Sequence, residues 1–274
     1  MTRPLEFAAD TVIALLSHAA SEELLPRFKA LAEHQIFSKA TDEDPTDVVT
    51  EADLAMESRL TAELEALLPG SVVMGEEAVA KDPSRLALLS GDRPVWVLDP
   101  LDGTRNFAKG SEDFGVLLAL VERGCTRWGF LHQPLQSRTF AAEEGAGAFL
   151  EGRRLGVRRA PPGEVPSGMA GTRYMSPEMR GDVDARAAAG TRRLPSRLCA
   201  ATEYAKVALG EMDFVLYWRL LPWDHLAGGL IASEAGGAAR HVDGSACAVG
   251  DGLPGSLVTH DAARWDDIRR VVVG

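Results

Sequence analysis

Cysteines, long apolar runs and basic clusters are all scarce in this 274-residue sequence, and each shortage excludes a class of protein. Its three cysteines (Cys125, Cys199 and Cys247) are widely spaced and odd in number, which fits neither a disulfide framework nor a zinc site and predicts a reduced, cytoplasmic protein. No apolar run approaches the roughly 20 residues that span a bilayer, and no basic-then-apolar leader begins the chain. We therefore expect neither membrane association nor a signal peptide.

Positive charge is also in short supply. The chain has 29 Lys and Arg against 40 Asp and Glu, a formal net charge of −11, and no basic run exceeds two residues. This balance argues against a nucleic-acid partner. An acidic protein that binds an anionic substrate needs local positive charge, and bound divalent cations are one way to supply it.

Two further absences limit the chemistry. There is no Gly-x-Ser-x-Gly motif, so a serine nucleophile is not expected. The six histidines show no metal-ligand spacing, and we place them in the core or on the surface. His225 could reach a site at its neighbour Asp224, but a supporting or inert role is the more common one for such a residue. Cys199 is expected to act as a small hydrophobic residue.

The most informative stretch is residues 95–107, VWVLDPLDGTRNF. Its first four residues predict a buried strand, which delivers Asp99 and Asp102 to its carboxyl end, where ligands bind in α/β sheets. Gly103 permits a sharp turn there. The alternative is an ordinary Asp-Pro-x-Asp-Gly surface turn, but the buried strand before it favours a site. Two carboxylates and the free carbonyl of Leu101 are oxygen ligands that suit Mg²⁺.

Residues 99–107 resemble the signature of the inositol monophosphatase family of metal-dependent phosphatases. Three other segments agree with that family in order and spacing. They are residues 47–53 (DVVTEAD), residues 75–77 (GEE) and residues 223–228 (WDHLAG), the last running on to residues 234–237 (EAGG). A single motif of this kind is weak, whereas four in register are specific.

The resemblance implies a layered sandwich between the α+β and α/β classes, with alternating α-β-α-β-α layers, as in inositol monophosphatases and fructose bisphosphatases. Residues 1–157 begin with helices and continue with clustered strands, which predicts an α+β half with an antiparallel sheet and most of the metal ligands. Residues 158–274 alternate strand and helix, which predicts a smaller α/β half that supplies Asp224 and residues on the substrate side.

The resemblance also implies two or three bound Mg²⁺ ions and a set of ligands. The first ion is expected at Glu76, Asp99 and the Leu101 carbonyl. The second is expected at Asp99, Asp102 and Asp224, and a weak third near Glu76. The alternative for Asp224 is a favourable acid at the positive end of its helix, worth about 0.3–1 kcal/mol.

Catalytic roles follow from the same resemblance. Thr104, paired with Asp53, is expected to orient the attacking water, and Glu76 is the third expected catalytic residue. The amides of Gly103 and Thr104 are expected to hold the phosphate. For Asp53 a second interpretation, half of a capping box with Thr50, is equally open. Glu77, next to Glu76, is expected in a solvated loop.

The substrate side departs from the family pattern. Inositol phosphatases carry a glutamate seven residues before the aspartate of the Trp-Asp motif, and here that position is Tyr217, followed by Trp218 and Arg219. An aromatic pair and an arginine suit a ring, a second phosphate or a carboxylate. The predicted substrate-binding residues are Asp102, Gly103, Thr104, Tyr217 and Arg219.

The resemblance implies a Mg²⁺-dependent, lithium-sensitive phosphatase, commonly a homodimer, that hydrolyses a small phosphomonoester such as an inositol phosphate or a related sugar or polyol phosphate. The family also includes phosphatases of histidinol phosphate, fructose 1,6-bisphosphate and adenosine 3′,5′-bisphosphate, which are alternatives. A non-catalytic regulator that binds metal or phosphate on the same scaffold is the alternative from another class.

Overall fold

The computed structural model of the protein describes residues 7–41, 44–161 and 163–274. The α-helices of this part are α1 (Ala9–Ala19), α2 (Glu51–Leu67), α3 (Glu76–Lys81), α4 (Thr104–Ala108), α5 (Pro177–Gly190), α6 (Ala200–Ala208), α7 (Pro222–Glu234) and α8 (Trp265–Val272). None of the helices in these three ranges is long and apolar enough to cross a membrane.

The strands form a hairpin and two sheets. They are β1 (Ile36–Ser38), β2 (Val48–Thr50), β3 (Val72–Gly75), β4 (Val95–Asp102), β5 (Gly115–Glu122), β6 (Cys125–Gln133), β7 (Arg138–Glu143), β8 (Gly147–Leu150), β9 (Arg153–Arg154), β10 (Ser167–Ala170), β11 (Arg192–Arg193), β12 (Phe214–Tyr217), β13 (Ala238–His241) and β14 (Ser256–Thr259). The seven-stranded sheet has the order β3-β4-β5-β6-β7-β8-β9 and is antiparallel except for the parallel pair β3–β4. The five-stranded sheet has the order β11-β10-β12-β14-β13 and is mixed.

Five layers result from the way the two sheets are covered. On β4, Trp96 and Leu98 face a core shared with α1 and α2, whereas Val95 and Val97 face a second core shared with α6 and α7. Successive strand residues point to opposite faces, so a strand apolar at every position is buried on both. Helices α5 and α8 cover the outer face of the second sheet. The predicted α-β-α-β-α sandwich is confirmed.

Helix α7 packs on both sheets and lies very close to helix α6. A Cβ atom added to Gly228 would lie 2.2 Å from the ring of Tyr204 on α6, so only glycine fits this contact. The two sheets occupy consecutive parts of the chain, but α7 also packs on β4, β5 and β6 of the first. The division into halves at residue 157 therefore stays a prediction.

Apolar spacing over residues 4–36 predicts helical structure, with a second helical stretch that contains Leu24, Leu25, Phe28 and Leu31, but only part of this segment is α-helical. The α-helix ends at Ala19, one π turn spans Ala20–Leu24, turns follow, and β1 begins at Ile36. The physical reason is Pro26, which has no N–H to continue the helix. Residues 4–6 lie outside the described residues.

His132 on β6 gives the fold a pH dependence. The side chain is 1% exposed, its Nδ1 lies 2.9 Å from the Thr139 hydroxyl, and burial lowers its pKa to about 4. The unfolded chain takes up this proton below about pH 6.5 and the folded protein only near pH 4, so stability is full above 6.5 and is lost as the pH falls.

We expect His132→Gln to remove this loss. Between pH 6.5 and 4, the unfolding free energy of wild type should fall relative to the variant by about 1.4 kcal/mol per pH unit, roughly 3 kcal/mol in all. Urea unfolding of both metal-free proteins across this range measures the difference. A difference that does not change with pH would contradict the expectation.

Candidate active site

The acidic cluster forms where β3 ends beside β4. These strands are parallel, and Gly75 is paired with Leu98, so the residues that follow, Glu76 and Asp99, emerge at the same edge. Asp224 reaches this edge from the first turn of α7. Oxygens of these three carboxylates all lie within 4.8 Å of one another.

The cluster carries strong mutual repulsion. Asp99 is 2% exposed, and burial together with the charges of Glu76, Asp102 and Asp224 raises its pKa well above the usual range. Burial and the charge of Glu76 raise the pKa of Asp224 in the same way. Carboxylates held so close bind a divalent cation readily because the cation relieves the repulsion. An all-oxygen donor set suits Mg²⁺, Mn²⁺ or Ca²⁺ and does not suit zinc.

Asp102 lies beside this group and is held by α6. Its Oδ2 accepts hydrogen bonds from the Cys199 thiol at 3.0 Å and from the Ala201 amide at 2.5 Å. Burial and the Asp102 charge raise the pKa of the Cys199 thiol, which keeps its proton and remains a donor. Cys199 is therefore more than a small hydrophobic residue, since it fixes the orientation of a predicted metal ligand.

Asp53 is hydrogen-bonded to two threonines, Thr50 and Thr104. Its Oδ2 accepts from the Thr50 amide at 2.8 Å and from the Thr50 hydroxyl at 2.6 Å, which is the capping box of α2. Its Oδ1 accepts from the Thr104 hydroxyl at 2.9 Å. The Thr104 hydroxyl also lies 2.9 Å from the Leu101 carbonyl. Its single proton thus has two acceptors, and a cation on the Leu101 carbonyl would leave that proton to Asp53.

Gly103 connects the strand to the short helix that carries Thr104. Strand β4 extends to Asp102, beyond the predicted end at Leu98, with a shift of register between Asp99 and Asp102. Gly103 then adopts φ 83°, a left-handed conformation, and a Cβ atom there would lie 2.7 Å from the Asp113 carbonyl. Glycine is required at this position for both reasons.

Lys39, in the loop between β1 and β2, neutralises part of the cluster. Its ammonium lies 2.7 Å from Glu76 and 2.9 Å from Glu77. Burial alone would lower the pKa of Lys39, but these two carboxylates outweigh it and raise the pKa. The prediction of a solvated Glu77 is wrong: the side chain is 3% exposed, in α3, and burial and Glu76 raise its pKa to about 7.

The predicted substrate residues line the same cavity, of about 220 Å³, as the acidic cluster. The Tyr217 hydroxyl donates to Glu203 at 2.9 Å, so a carboxylate does lie near the position of the missing glutamate, but it comes from α6. That carboxylate also accepts from the Ser196 hydroxyl at 2.9 Å and the Arg197 amide at 2.7 Å. Most of its acceptor capacity is therefore used within the protein.

The segment before α7 is fixed by His225 and by an aromatic contact. The Nε2 of His225 donates to the Arg219 carbonyl at 3.0 Å, and its Nδ1 lies 3.2 Å from the Tyr204 hydroxyl. Burial lowers the pKa of His225 to about 4, so it is neutral and supports the segment. The guanidinium of Arg219 stacks over the ring of Tyr174 at 4.1 Å.

A second ionic network at the cavity rim was missed by sequence reasoning. Asp44, from the loop that carries Lys39, accepts from Arg173 at 2.8 Å, from the Tyr174 hydroxyl at 3.2 Å and from Arg105 at 3.3 Å. Burial would raise the pKa of Asp44, but these donors and those of its own loop lower it to about 2. Residues 42 and 43 of this loop lie outside the described residues.

Comparison with known proteins gives consistent relatives. A sequence profile of the inositol monophosphatase family matches residues 5–266. A Thermotoga maritima protein named fructose-1,6-bisphosphatase/inositol-1-monophosphatase is 36% identical over 198 residues, 72% of this chain and 73% of that protein. The Nus factor SuhB of Pseudomonas aeruginosa is 32% identical over 245 residues, 85% of each chain.

Solved structures agree in fold. An IMPase of Thermotoga maritima has a TM-score of 0.80 at 30% identity, covering 96% of this chain and 95% of that one. The extragenic suppressor protein suhB of Bartonella henselae has a TM-score of 0.81 at 24% identity, covering 97% and 98%, a likeness of fold alone. Since the family profile extends over nearly the whole chain and includes all four motif segments, the chain belongs to the inositol monophosphatase family and is a phosphomonoester hydrolase.

Proposed function

We propose that the protein hydrolyses a small phosphomonoester, an inositol phosphate or a related sugar or polyol phosphate, in a Mg²⁺-dependent reaction. The observation that carries the proposal is the convergence of Glu76, Asp99 and Asp224 within 4.8 Å, next to the Thr104–Asp53 hydrogen bond. When bound, Mg²⁺ supplies positive charge at the phosphate and a water of lowered pKa.

The proposed ligands follow the two groups expected from the sequence. Glu76, Asp99 and the Leu101 carbonyl would hold the first ion. Asp99, Asp102 and Asp224 would hold the second, with the Asp102 carboxylate kept in place by Cys199. Lys39 stands where a weak third cation would approach Glu76.

The remaining steps belong to the chain itself. The Thr104 hydroxyl donates to Asp53 and presents its lone pairs to the attacking water, which orients that water toward phosphorus. Glu76, the other proposed catalytic carboxylate, lines the same cavity as Thr104. The amides of Gly103 and Thr104 hold the phosphate oxygens, and Asp102 approaches the substrate from the same turn. Phosphoryl transfer depends mainly on such positioning and on electrostatic stabilisation.

For substrate selection we propose Tyr217 and Arg219. Both line the cavity, and the Arg219 guanidinium lies over the Tyr174 ring. The relatives are named for inositol 1-monophosphate and fructose 1,6-bisphosphate, so both compounds are candidates here. An arginine suits a second phosphate or a carboxylate, as in the bisphosphate.

A substrate screen tests the proposal. Phosphate release is measured with sugar, polyol, nucleotide and amino-alcohol phosphates, including histidinol phosphate and adenosine 3′,5′-bisphosphate, each with Mg²⁺ and with EDTA. We expect Mg²⁺-dependent turnover of at least one. No turnover of any, together with saturable binding of one of them, would instead support a regulator, a possibility that the Nus factor relative also raises.

We also propose a homodimer in the cytoplasm. The three thiols are unpaired, as a reducing compartment requires, and the strand-rich middle of the chain is compatible with assembly. Sedimentation of the metal-loaded protein at micromolar concentration is expected to show a dimer, and a purely monomeric species would contradict this.

Cation dependence gives a further prediction. The rate is expected to rise and then fall with Mg²⁺, and to be inhibited by millimolar Li⁺, because a second cation held weakly by Asp99, Asp102 and Asp224 would have to leave with the product. Li⁺ is of similar radius with half the charge and would retain phosphate at Asp99, Asp102 and Asp224. Initial rates measured against both ions test this expectation, and a rate that saturates monotonically with Mg²⁺ and ignores Li⁺ would contradict it.

Lys39→Gln should lower the Mg²⁺ concentration at which the rate is highest, since no ammonium then competes with a cation at Glu76. The same initial-rate measurements on wild type and variant test this shift.

A further inference from the structure

Helix α2 carries a second buried carboxylate for which the mechanism above has no role. Glu57 lies one turn after Asp53, on the same face of the helix, and is 9% exposed. A carboxylate in such a place costs free energy unless it is hydrogen-bonded. Burial, first of all, raises its pKa, and the nearby charge of Glu76 adds to this.

The partners of Glu57 are the first free amides of α3. Its Oε2 accepts from the Glu77 amide at 2.9 Å, and the Ala78 amide also donates to it. The residue that precedes α3, Gly75, has no side chain to accept these bonds. A helix of six residues whose first amides are unbonded is poorly fixed, so the cap supplied by α2 determines how α3 begins. The first residue of α3 is Glu76.

Gly75 makes room for this carboxylate. A Cβ atom there would lie 2.0 Å from the Glu57 Oε2. The backbone of Gly75, with φ −88° and ψ 154°, is one that any residue adopts. Any larger residue at this position would displace the Glu57 carboxylate, so it is this contact, and not the conformation of the chain, that favours glycine.

We propose that Glu57 is a positioning residue that orients Glu76 toward the cation cluster by capping α3. One rigid helix then sets both parts of the site, since Asp53 holds Thr104 and Glu57 holds the start of the helix that carries Glu76. The inference rests on the proposed function only in taking Glu76 as a cation ligand.

The test is Mg²⁺ binding measured by calorimetry and by Mg²⁺-dependent thermal stabilisation, without substrate. Glu57→Ala is expected to weaken Mg²⁺ binding about 10-fold, within the 10–100-fold range of residues that orient ligands. Glu57→Gln keeps an acceptor oxygen and is expected to stay within about 3-fold of wild type. The matched control is Glu65→Ala, which removes from the same helix a carboxylate that accepts the Val73 amide at 3.3 Å, and should leave Mg²⁺ binding unchanged.

Gly75→Ala provides an independent variant. Its Cβ should displace the Glu57 carboxylate and weaken Mg²⁺ binding by a similar factor. In the Glu57→Ala background the same change should have little further effect, because the clash and the cap are already gone. The two effects should therefore be strongly non-additive, as for residues in direct contact.

The outcomes separate this inference from the proposed function. Wild-type protein that binds no Mg²⁺ would overturn the proposed function and this role with it. Wild type that binds Mg²⁺, with Glu57→Ala binding equally well, would overturn the role of Glu57 alone. Glu57→Gln as damaging as Glu57→Ala would show that charge and not the cap matters, and additive effects of the two changes would show that Gly75 acts separately.

Discussion

Asp99→Asn is expected to lower kcat/KM by about three orders of magnitude or more and, at the same time, to stabilise the metal-free protein. Asp99 is a proposed ligand of both cations, so the loss of its carboxylate removes one ligand from each. In the metal-free state the same carboxylate is buried and repelled by its neighbours, which raises its pKa, and a neutral amide of equal size removes that cost. Activity and metal-free stability should therefore change in opposite directions.

The measurements are Mg²⁺-dependent phosphate release and thermal unfolding in EDTA and in Mg²⁺. Wild type should gain more stability from Mg²⁺ than the variant does. Asp267→Asn is the control, because that carboxylate pairs with Arg270 on the surface. Full Mg²⁺-dependent activity of Asp99→Asn would refute the assignment of the cluster, and a less stable metal-free variant would refute the account of its repulsion.

Thr104→Val is expected to lower kcat by about 100- to 1,000-fold while KM and Mg²⁺ binding change little, since it removes the hydroxyl that orients the attacking water and no cation ligand. The hydroxyl stands 2.9 Å from Asp53, and valine has the same shape without it. Thr104→Ser keeps the hydroxyl and should retain most of the activity.

Steady-state kinetics of both variants with the best substrate of the screen distinguish the outcomes. Loss of activity in Thr104→Ser as large as in Thr104→Val would mean that the methyl group and packing matter more than the hydroxyl. A rise in KM with unchanged kcat would place Thr104 in substrate binding alone.

Part of the fold is readable from the chain because the central strand β4 is buried along its whole length. The run VWVL is apolar at every position, and a strand buried on both faces requires layers on both sides, as observed for β4. The helical spacing near the N-terminus was less informative, since Pro26 ends the helix although apolar residues continue. Hydrophobic periodicity indicates which face of a helix is buried, whereas a residue without a backbone N–H, such as proline, decides where the helix ends.

The arrangement of the side chains in the acidic turn follows from the sequence itself. Asp99, Asp102 and Thr104 lie within six residues, and the left-handed Gly103 sets their relation through local backbone geometry alone. The hydrogen bond between Asp53 and Thr50 was within reach through spacing along the helix, whereas the one between Asp53 and Thr104, 51 positions apart, was within reach only through the family resemblance.

Only the tertiary structure decided which groups support these residues. Lys39 meets Glu76 and Glu77 across 37 and 38 positions of sequence, and Cys199 meets Asp102 across 97. Glu57 reaches the Glu77 amide across 20 positions, and Lys39 pairs with the Glu77 carboxylate across 38, so the expectation of a solvated Glu77 failed. A hydrogen bond requires atoms about 3 Å apart, and that distance is set by how helices pack on strands, which hydrophobic periodicity does not specify.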